Sequence, residues 1–311
     1  MKTNISLILI LCLLLGACKN GNASSQSKSE TPQDTIKAIK MPAIPQMMTA
    51  PEQRADFLAK HYWDNVNFAD TNYIHHPEVT EQAWADYCDL LNHVPLETAQ
   101  QAMRNVIDRT NVDKKVFTYI TDLADKYLYD PNSPMRNEEF YIPVLEAMIA
   151  SPVLNETEKI RPQARLKLAQ KNRIGTKALN FTYTLASGAQ GSLYQLKAEY
   201  LLLFINNPGC QACTETIEGL KNAPIINQLL QEKKLVLLSI YPDEELDEWK
   251  KHLSEFPNEW INGYDKKFTI KEEQVYDLKA FPTLYLLDKD KTVLLKDATA
   301  PAIEAYLMQH Q

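Results

Sequence analysis

Cys210-Gln211-Ala212-Cys213, at the end of the apolar run Tyr200 to Ile205, and Phe281-Pro282-Thr283 further along the chain are the stretches that decide the fold. Two cysteines separated by two residues at a helix start can close a short disulfide without backbone movement, and only the first then faces solvent. The unpaired N–H groups and the positive end of the helix dipole stabilise Cys210 as a thiolate, the species that attacks another disulfide. Cys213, one turn in, is the matching resolving thiol. Pro282 stands out because X-Pro is the one bond at which a cis peptide is cheap.

These residues resemble the thioredoxin superfamily, and within it the TlpA/ResA branch of extracytoplasmic thiol-disulfide oxidoreductases, over roughly Arg173 to Gln311. The resemblance implies a central mixed sheet flanked by helices, with Cys210 and Cys213 as the catalytic pair. It also implies that Phe281, Pro282 and Thr283 form a cis-proline loop lying against the dithiol and offering backbone to a substrate chain. Ala178 to Leu185, a turn at Gly188 to Gly191 and Leu193 to Leu196 look like the hairpin that the TlpA branch adds before its core strand. Leu235 to Tyr241 reads as a buried strand, and Asp243 to Glu255 as a helix with Leu246, Trp249 and Leu253 on one face. Leu284 to Leu287 and Thr292 to Lys296 read as strands, and Pro301 to Gln309 as the last helix.

The chain departs from the family pattern at three places. Gly209 stands where a Trp commonly precedes the first Cys, Phe204 where thioredoxin has a buried carboxylate, and Thr216 where the TlpA/ResA-like helix carries an acid, with Glu215 and Glu218 nearby. The Gln-Ala dipeptide between the cysteines does not fix the reduction potential, which varies across the superfamily by about 150 mV.

The N-terminus supplies a compartment. Lys2, the apolar stretch Ile5 to Leu15 and then Leu15-Gly16-Ala17-Cys18 read as a secretory signal over residues 1–17 ending in a bacterial lipobox, with Cys18 the lipidated residue. The apolar stretch falls short of the roughly 20 residues of a membrane span. Of five cysteines, Cys12 leaves with the signal, and Cys88, Cys210 and Cys213 stay as thiols. Losing Lys2 turns the formal charge of −7 into −8. An acidic chain without a basic cluster argues against nucleic acid as a partner. Lys19 after the lipidated Cys favours the outer membrane over the inner. Residues 18–50, rich in Ser, Asn, Gln, Lys and Pro, read as a tether spanning roughly 30 Å, with Met41, Met47 and Met48 as apolar residues where it docks.

Residues 51–172 form a separate all-helical domain, with residues 173–311 the thioredoxin-like one. Apolar residues recur at helical spacing at Phe57, His61 and Tyr62; at Trp84, Cys88 and Leu91; at Leu96, Ala99, Met103 and Val106; and at Val116, Ile120, Leu123 and Tyr127. Glu138 to Ala150 and Glu156 to Lys171 look the same, with Asn72 to Pro77 and Asp130 to Pro134 as breaks. The segment Leu128 to Ile142 resembles an uncharacterised helical domain found ahead of TlpA-like modules in lipoproteins of the Bacteroides group. Cys88 reads as a small core hydrophobe and His75-His76 as a surface loop pair. Glu138-Glu139 and Asp243-Glu244-Glu245 read as first-turn acids that complement helix dipoles.

The expectation is therefore a lipid-anchored, periplasm-facing thiol-disulfide oxidoreductase that reduces protein disulfides and is fed by an upstream electron donor. No haem, flavin or nicotinamide motif appears, and no second Cys pair completes a zinc site, so neither cofactor nor metal is expected beyond the dithiol. Two other readings stand beside it. One is a lipid-anchored interaction module with a thioredoxin fold and little redox activity. The other is a thiol peroxidase, whose Pro and Thr/Ser positions are occupied here by Leu203 and Asn207.

Overall fold

The computed structural model describes residues 38–310 of the chain; Cys18 and the signal segment lie outside them. Six helices come first: α1 (Pro51–His61), α2 (Pro77–Leu91), α3 (Leu96–Arg109), α4 (Lys114–Ala124), α5 (Glu138–Ala150) and α6 (Glu156–Ala169). Their starts follow from local chemistry. Pro51 and Pro77 occupy first-turn positions where no N–H is needed. Asp113, Asn137 and Asn155 each accept first-turn N–H groups, and Asn155 closes a capping box with Glu158. α5 is apolar on nearly every side, from Phe140 and Tyr141 through Leu145 to Met148, and is accordingly buried against α3, α4 and α6. An aromatic group of Tyr62, Trp63, Trp84 and Tyr87 fills the core between α1 and α2.

α4 does not stop at Ala124. Asp125–Tyr129 continues as a π-helical turn, in which Tyr127 packs half-buried on the helical core as expected and donates its hydroxyl to Glu81 at 2.9 Å. Ile39 packs on the helical core and Asn65 donates to the Lys40 carbonyl at 2.9 Å, so residues 38–50 lie against the helices rather than as free coil. Met48 is half-buried there, whereas Met41 and Met47 are exposed.

The second half is a seven-stranded sheet in the order β2-β1-β5-β4-β3-β6-β7. Its strands are β1 (Thr182–Leu185), β2 (Gln190–Ser192), β3 (Tyr200–Ile205), β4 (Leu235–Tyr241), β5 (Ile261–Tyr264), β6 (Thr283–Asp288) and β7 (Val293–Lys296). The central trio β3, β4 and β5 is parallel, and β6 runs antiparallel to β3. β3 is buried on both faces, which is why it reads as an unbroken apolar run. Leu202 and Phe204 face α7 (Gln211–Lys221), α8 (Pro224–Gln231) and α11 (Ala300–Gln309), while Leu201, Leu203 and Ile205 face a second core with Phe181, Ile270 and Tyr276.

Two expected elements differ in the structure: the second hairpin strand is β2 at Gln190–Ser192, overlapping the expected turn, and the helix expected from Asp243 to Glu255 is shorter. After β2 the chain turns through a 3-10 segment, Leu193–Gln195, with Gln195 and Ser192 closing a capping box. α9 (Leu246–His252) begins only after the three acids, with Glu245 as its cap residue, and passes into a 3-10 turn at Leu253–Glu255; only Trp249 is fully buried. A short α10 (Thr269–Glu272) precedes the segment leading to β6.

Candidate active site

β3 ends at Ile205, and Asn206 to Gly209 carry the chain to the start of α7. Gly209 takes φ +73°, a conformation that a side chain would strain. The turn sets Cys210 as the N-cap of α7, with its sulfur accepting from the Cys213 N–H at 3.3 Å and its carbonyl from the Thr214 N–H at 3.1 Å. Cys210 is half-buried, and Cys213 is 3% exposed. Burial pushes the Cys213 thiol up to about 12; a hydrogen bond with the Asn207 backbone works against this, and the neighbouring Cys210 sulfur adds to it.

Opposite lies the loop ahead of β6. The register pairing Ile205 with Thr283 places the first residue of β6 beside the last of β3, and so brings the loop to the dithiol. The Phe281-Pro282 peptide is cis, and the Phe281 carbonyl lies 3.7 Å from the Cys210 sulfur. Cys210, Cys213, Phe281 and Pro282 therefore converge. Thr283 is buried, and its hydroxyl donates to the Ala280 carbonyl at 2.8 Å, so its side chain completes the loop from within.

The position behind the dithiol that carries a carboxylate in thioredoxin is held here by Phe204. Phe204 is fully buried and meets Trp260 edge-on with centroids 6.3 Å apart. Glu215 is exposed and accepts from Gln211 at 2.9 Å, and Glu218 pairs with Lys221 at 2.8 Å. A buried polar pair in the turn leading to the site is neutral: Asn206 donates to the Ser239 hydroxyl at 2.8 Å.

Residues singled out elsewhere stay apart from the site. Cys88 is buried in the helical core, and its thiol is pushed far up by desolvation. His76 pairs with Glu78 at 3.0 Å. Among the described residues no group of three or more His, Cys, Asp or Glu side chains could hold a metal ion, and no helix is long and apolar enough to cross a membrane. The sequence reading missed Lys279, two residues before Phe281. Its ammonium is buried and lies 2.7 Å from Glu138 of α5, so Glu138 is more than the helix-dipole acid expected. A lone lysine beside a proline loop, paired 141 residues away, leaves no periodic signal.

A family model described as a domain of unknown function, DUF5106, matches residues 17–172, and one described as thioredoxin-like matches residues 198–293. A thioredoxin-like protein from Bacteroides caccae, solved by crystallography, is 83% identical, with 89% of this chain and 100% of that one covered and a TM-score of 0.87. The C-terminal domain of an uncharacterized protein from Bacteroides fragilis is 69% identical, with 44% and 98% covered and a TM-score of 0.44. A conserved protein of unknown function from Bacteroides fragilis is 36% identical, with 43% and 98% covered and a TM-score of 0.43. No curated protein matches the chain.

Proposed function

We propose, from the premise that this chain belongs to the thioredoxin-like family and carries the DUF5106 domain ahead of the redox fold, that it is a membrane-tethered, extracytoplasmic thiol-disulfide oxidoreductase working as a reductase of protein disulfides. The observation that carries this reading is the pairing of a half-buried Cys210 at a helix N-cap with the Phe281 carbonyl 3.7 Å away.

The Cys213 N–H and the open end of α7 favour negative charge on the Cys210 sulfur. The thiolate attacks one sulfur of a substrate disulfide; the S–S bond breaks, and the released sulfur takes a proton. The mixed disulfide is then attacked by Cys213 after it gives up its proton. A Cys210–Cys213 disulfide forms, the second substrate thiol leaves, and two electrons have passed to the substrate. A dithiol donor upstream must restore the pair. The Phe281 carbonyl, presented beside Cys210, is suited to pair with the backbone of an extended client. No further cofactor enters this cycle.

The tether would be the lipid on Cys18, with the outer membrane preferred, and the resulting fixed position suits a client in the periplasm. The test is capture. In a chain carrying Cys213→Ser, Cys210 is expected to hold its client covalently, giving a higher-mass species that dithiothreitol releases. Recovery of no reducible adduct from cells expressing that variant would count decisively against a disulfide-exchange role.

A further inference from the structure

Between the end of α10 and the start of β6, residues 273–282 form neither helix nor strand, although they include the Phe281 carbonyl that faces Cys210. No sheet ladder fixes this segment. Side chains anchor it instead: Tyr276 is buried in the second core of the sheet and donates to the Leu179 carbonyl at 2.8 Å, and the anchors on either side of it come from the helical half. Lys171 donates to the carbonyls of Glu273 at 3.1 Å and Gln274 at 2.6 Å, and Asn172 to that of Val275 at 2.7 Å.

The anchor nearest the site is Lys279. Its side chain is 5% exposed, and its ammonium meets Glu138 at 2.7 Å, Asp277 at 3.3 Å and Asp297 at 3.6 Å. Burial alone would lower its pKa, but the carboxylates of Glu138, Asp297 and Asp277 outweigh burial and raise it, so the group stays charged. Lys296 of β7 pairs with the same Glu138 and donates to the Lys171 carbonyl at 2.7 Å. The Lys279 ammonium also lies 5.0 Å from the ring centre of Tyr129, which also meets the Arg165 guanidinium at 4.1 Å and the Tyr141 ring at 5.1 Å. Tyr129 closes the π-helical turn, and Arg165 is itself held by Asp125 of that turn at 2.6 Å. A buried charge with fixed partners has one low-energy position, because leaving any other partner set strands it without solvent.

We propose that Lys279 is a positioning residue for the thiol site: through Glu138 and Tyr129, the helical half holds the loop from Lys279 to Pro282 where Phe281 faces Cys210. This rests on the reading of Cys210 as the attacking thiol. It gives the helical half a task in the redox cycle, setting the surface on which an extended client backbone docks. The π-helical turn is the device that brings Tyr129 to the lysine.

The test uses the full chain from Lys19 with Lys279→Met, Lys279→Arg and Glu138→Gln. Hydrogen exchange is read over residues 275–283, and steady-state reduction is measured with a disulfide-bonded peptide. Loosening the loop is expected to speed exchange there roughly tenfold in Lys279→Met and Glu138→Gln, with Lys279→Arg close to wild type. KM for the peptide should rise roughly tenfold with kcat within about twofold, the signature of lost docking rather than lost chemistry. Alkylation of Cys210 by iodoacetamide, which needs no docking, should keep its rate. Glu138→Gln leaves Lys279 its two aspartates and so stays readable if Lys279→Met fails to fold. Exchange over residues 275–283 unchanged in both folded variants would overturn the proposal. A wild-type chain that reduces no disulfide would sink the reading of Cys210 instead, and exchange would still decide whether the helical half holds the loop.

Discussion

Replacing Cys210 with serine is expected to lower disulfide reduction by at least about four orders of magnitude, to the background set by the donor thiol alone. The reason is chemical rather than structural. A serine hydroxyl fits the same N-cap and can accept the same Cys213 N–H, so the fold should persist with its Tm nearly unchanged. An oxygen cannot take part in sulfur exchange, and Cys213, 3% exposed, cannot reach a client disulfide in its place. The Cys213 thiol is held up to about 12 by burial, so its reactive form becomes more abundant as the pH rises towards that value. The resolving step should therefore quicken steadily between pH 7 and 9 in the wild-type chain. Stopped-flow measurement of a fluorescent peptide disulfide at several pH values separates the two steps. A Cys210→Ser chain retaining more than a few per cent of activity would move the chemistry elsewhere.

Trp84→Ala is expected to carry the largest loss of stability, near the lower end of the roughly 3–5 kcal/mol range for such truncations. Trp84 is fully buried, with Trp63 and Tyr87 ring centres each 6.2 Å away, so its removal opens a cavity that three helices cannot close. The indole N–H has no hydrogen-bond partner, so truncation also removes an unmet donor, which keeps the loss at the lower end. A loss of about 3 kcal/mol corresponds to a fall in Tm of roughly 5 °C for a chain of this size unfolding as one unit. Because the loop facing Cys210 is anchored by Lys171, Asn172 and Glu138, protection of the Cys213 thiol should fail at the same lowered temperature. Circular dichroism and thiol trapping along one melt would check this. Cys213 protection surviving to the wild-type midpoint would mean that the two halves unfold independently.

Much of the fold was legible because its signals are local or periodic. β3 announces itself as an apolar run bounded by Asn206 and Gly209, and β4 matches Leu235 to Tyr241. The helices α5 and α6 begin at capping asparagines that a sequence displays openly. What escaped is what depends on distant partners. Leu193 to Leu196 alternates like a strand but turns because Gln195 reaches back to the Ser192 N–H. The Tyr127 position fitted the α4 period, yet a π turn inserts there and Tyr129 is delivered to Lys279. Glu138 resembles any first-turn acid until the sheet brings Lys279 and Lys296 to it. At the site itself the convergence of Cys210 with Phe281 was expected only from the family resemblance, whereas the apolar contact of Phe204 with Trp260 and the neutral Asn206–Ser239 pair needed the packing.

Cys210 and Cys213 are expected to cycle between dithiol and disulfide as a reductase. Equilibrating the chain from Lys19 in dithiothreitol or glutathione buffers of defined potential, then trapping free thiols and counting them by mass, tests it most directly. One two-electron transition confined to Cys210 and Cys213 is expected, with a potential near or below about −270 mV and Cys88 unchanged throughout. A pair that stays reduced across the whole range, or a potential near −120 mV as for an oxidant of folding proteins, would contradict it.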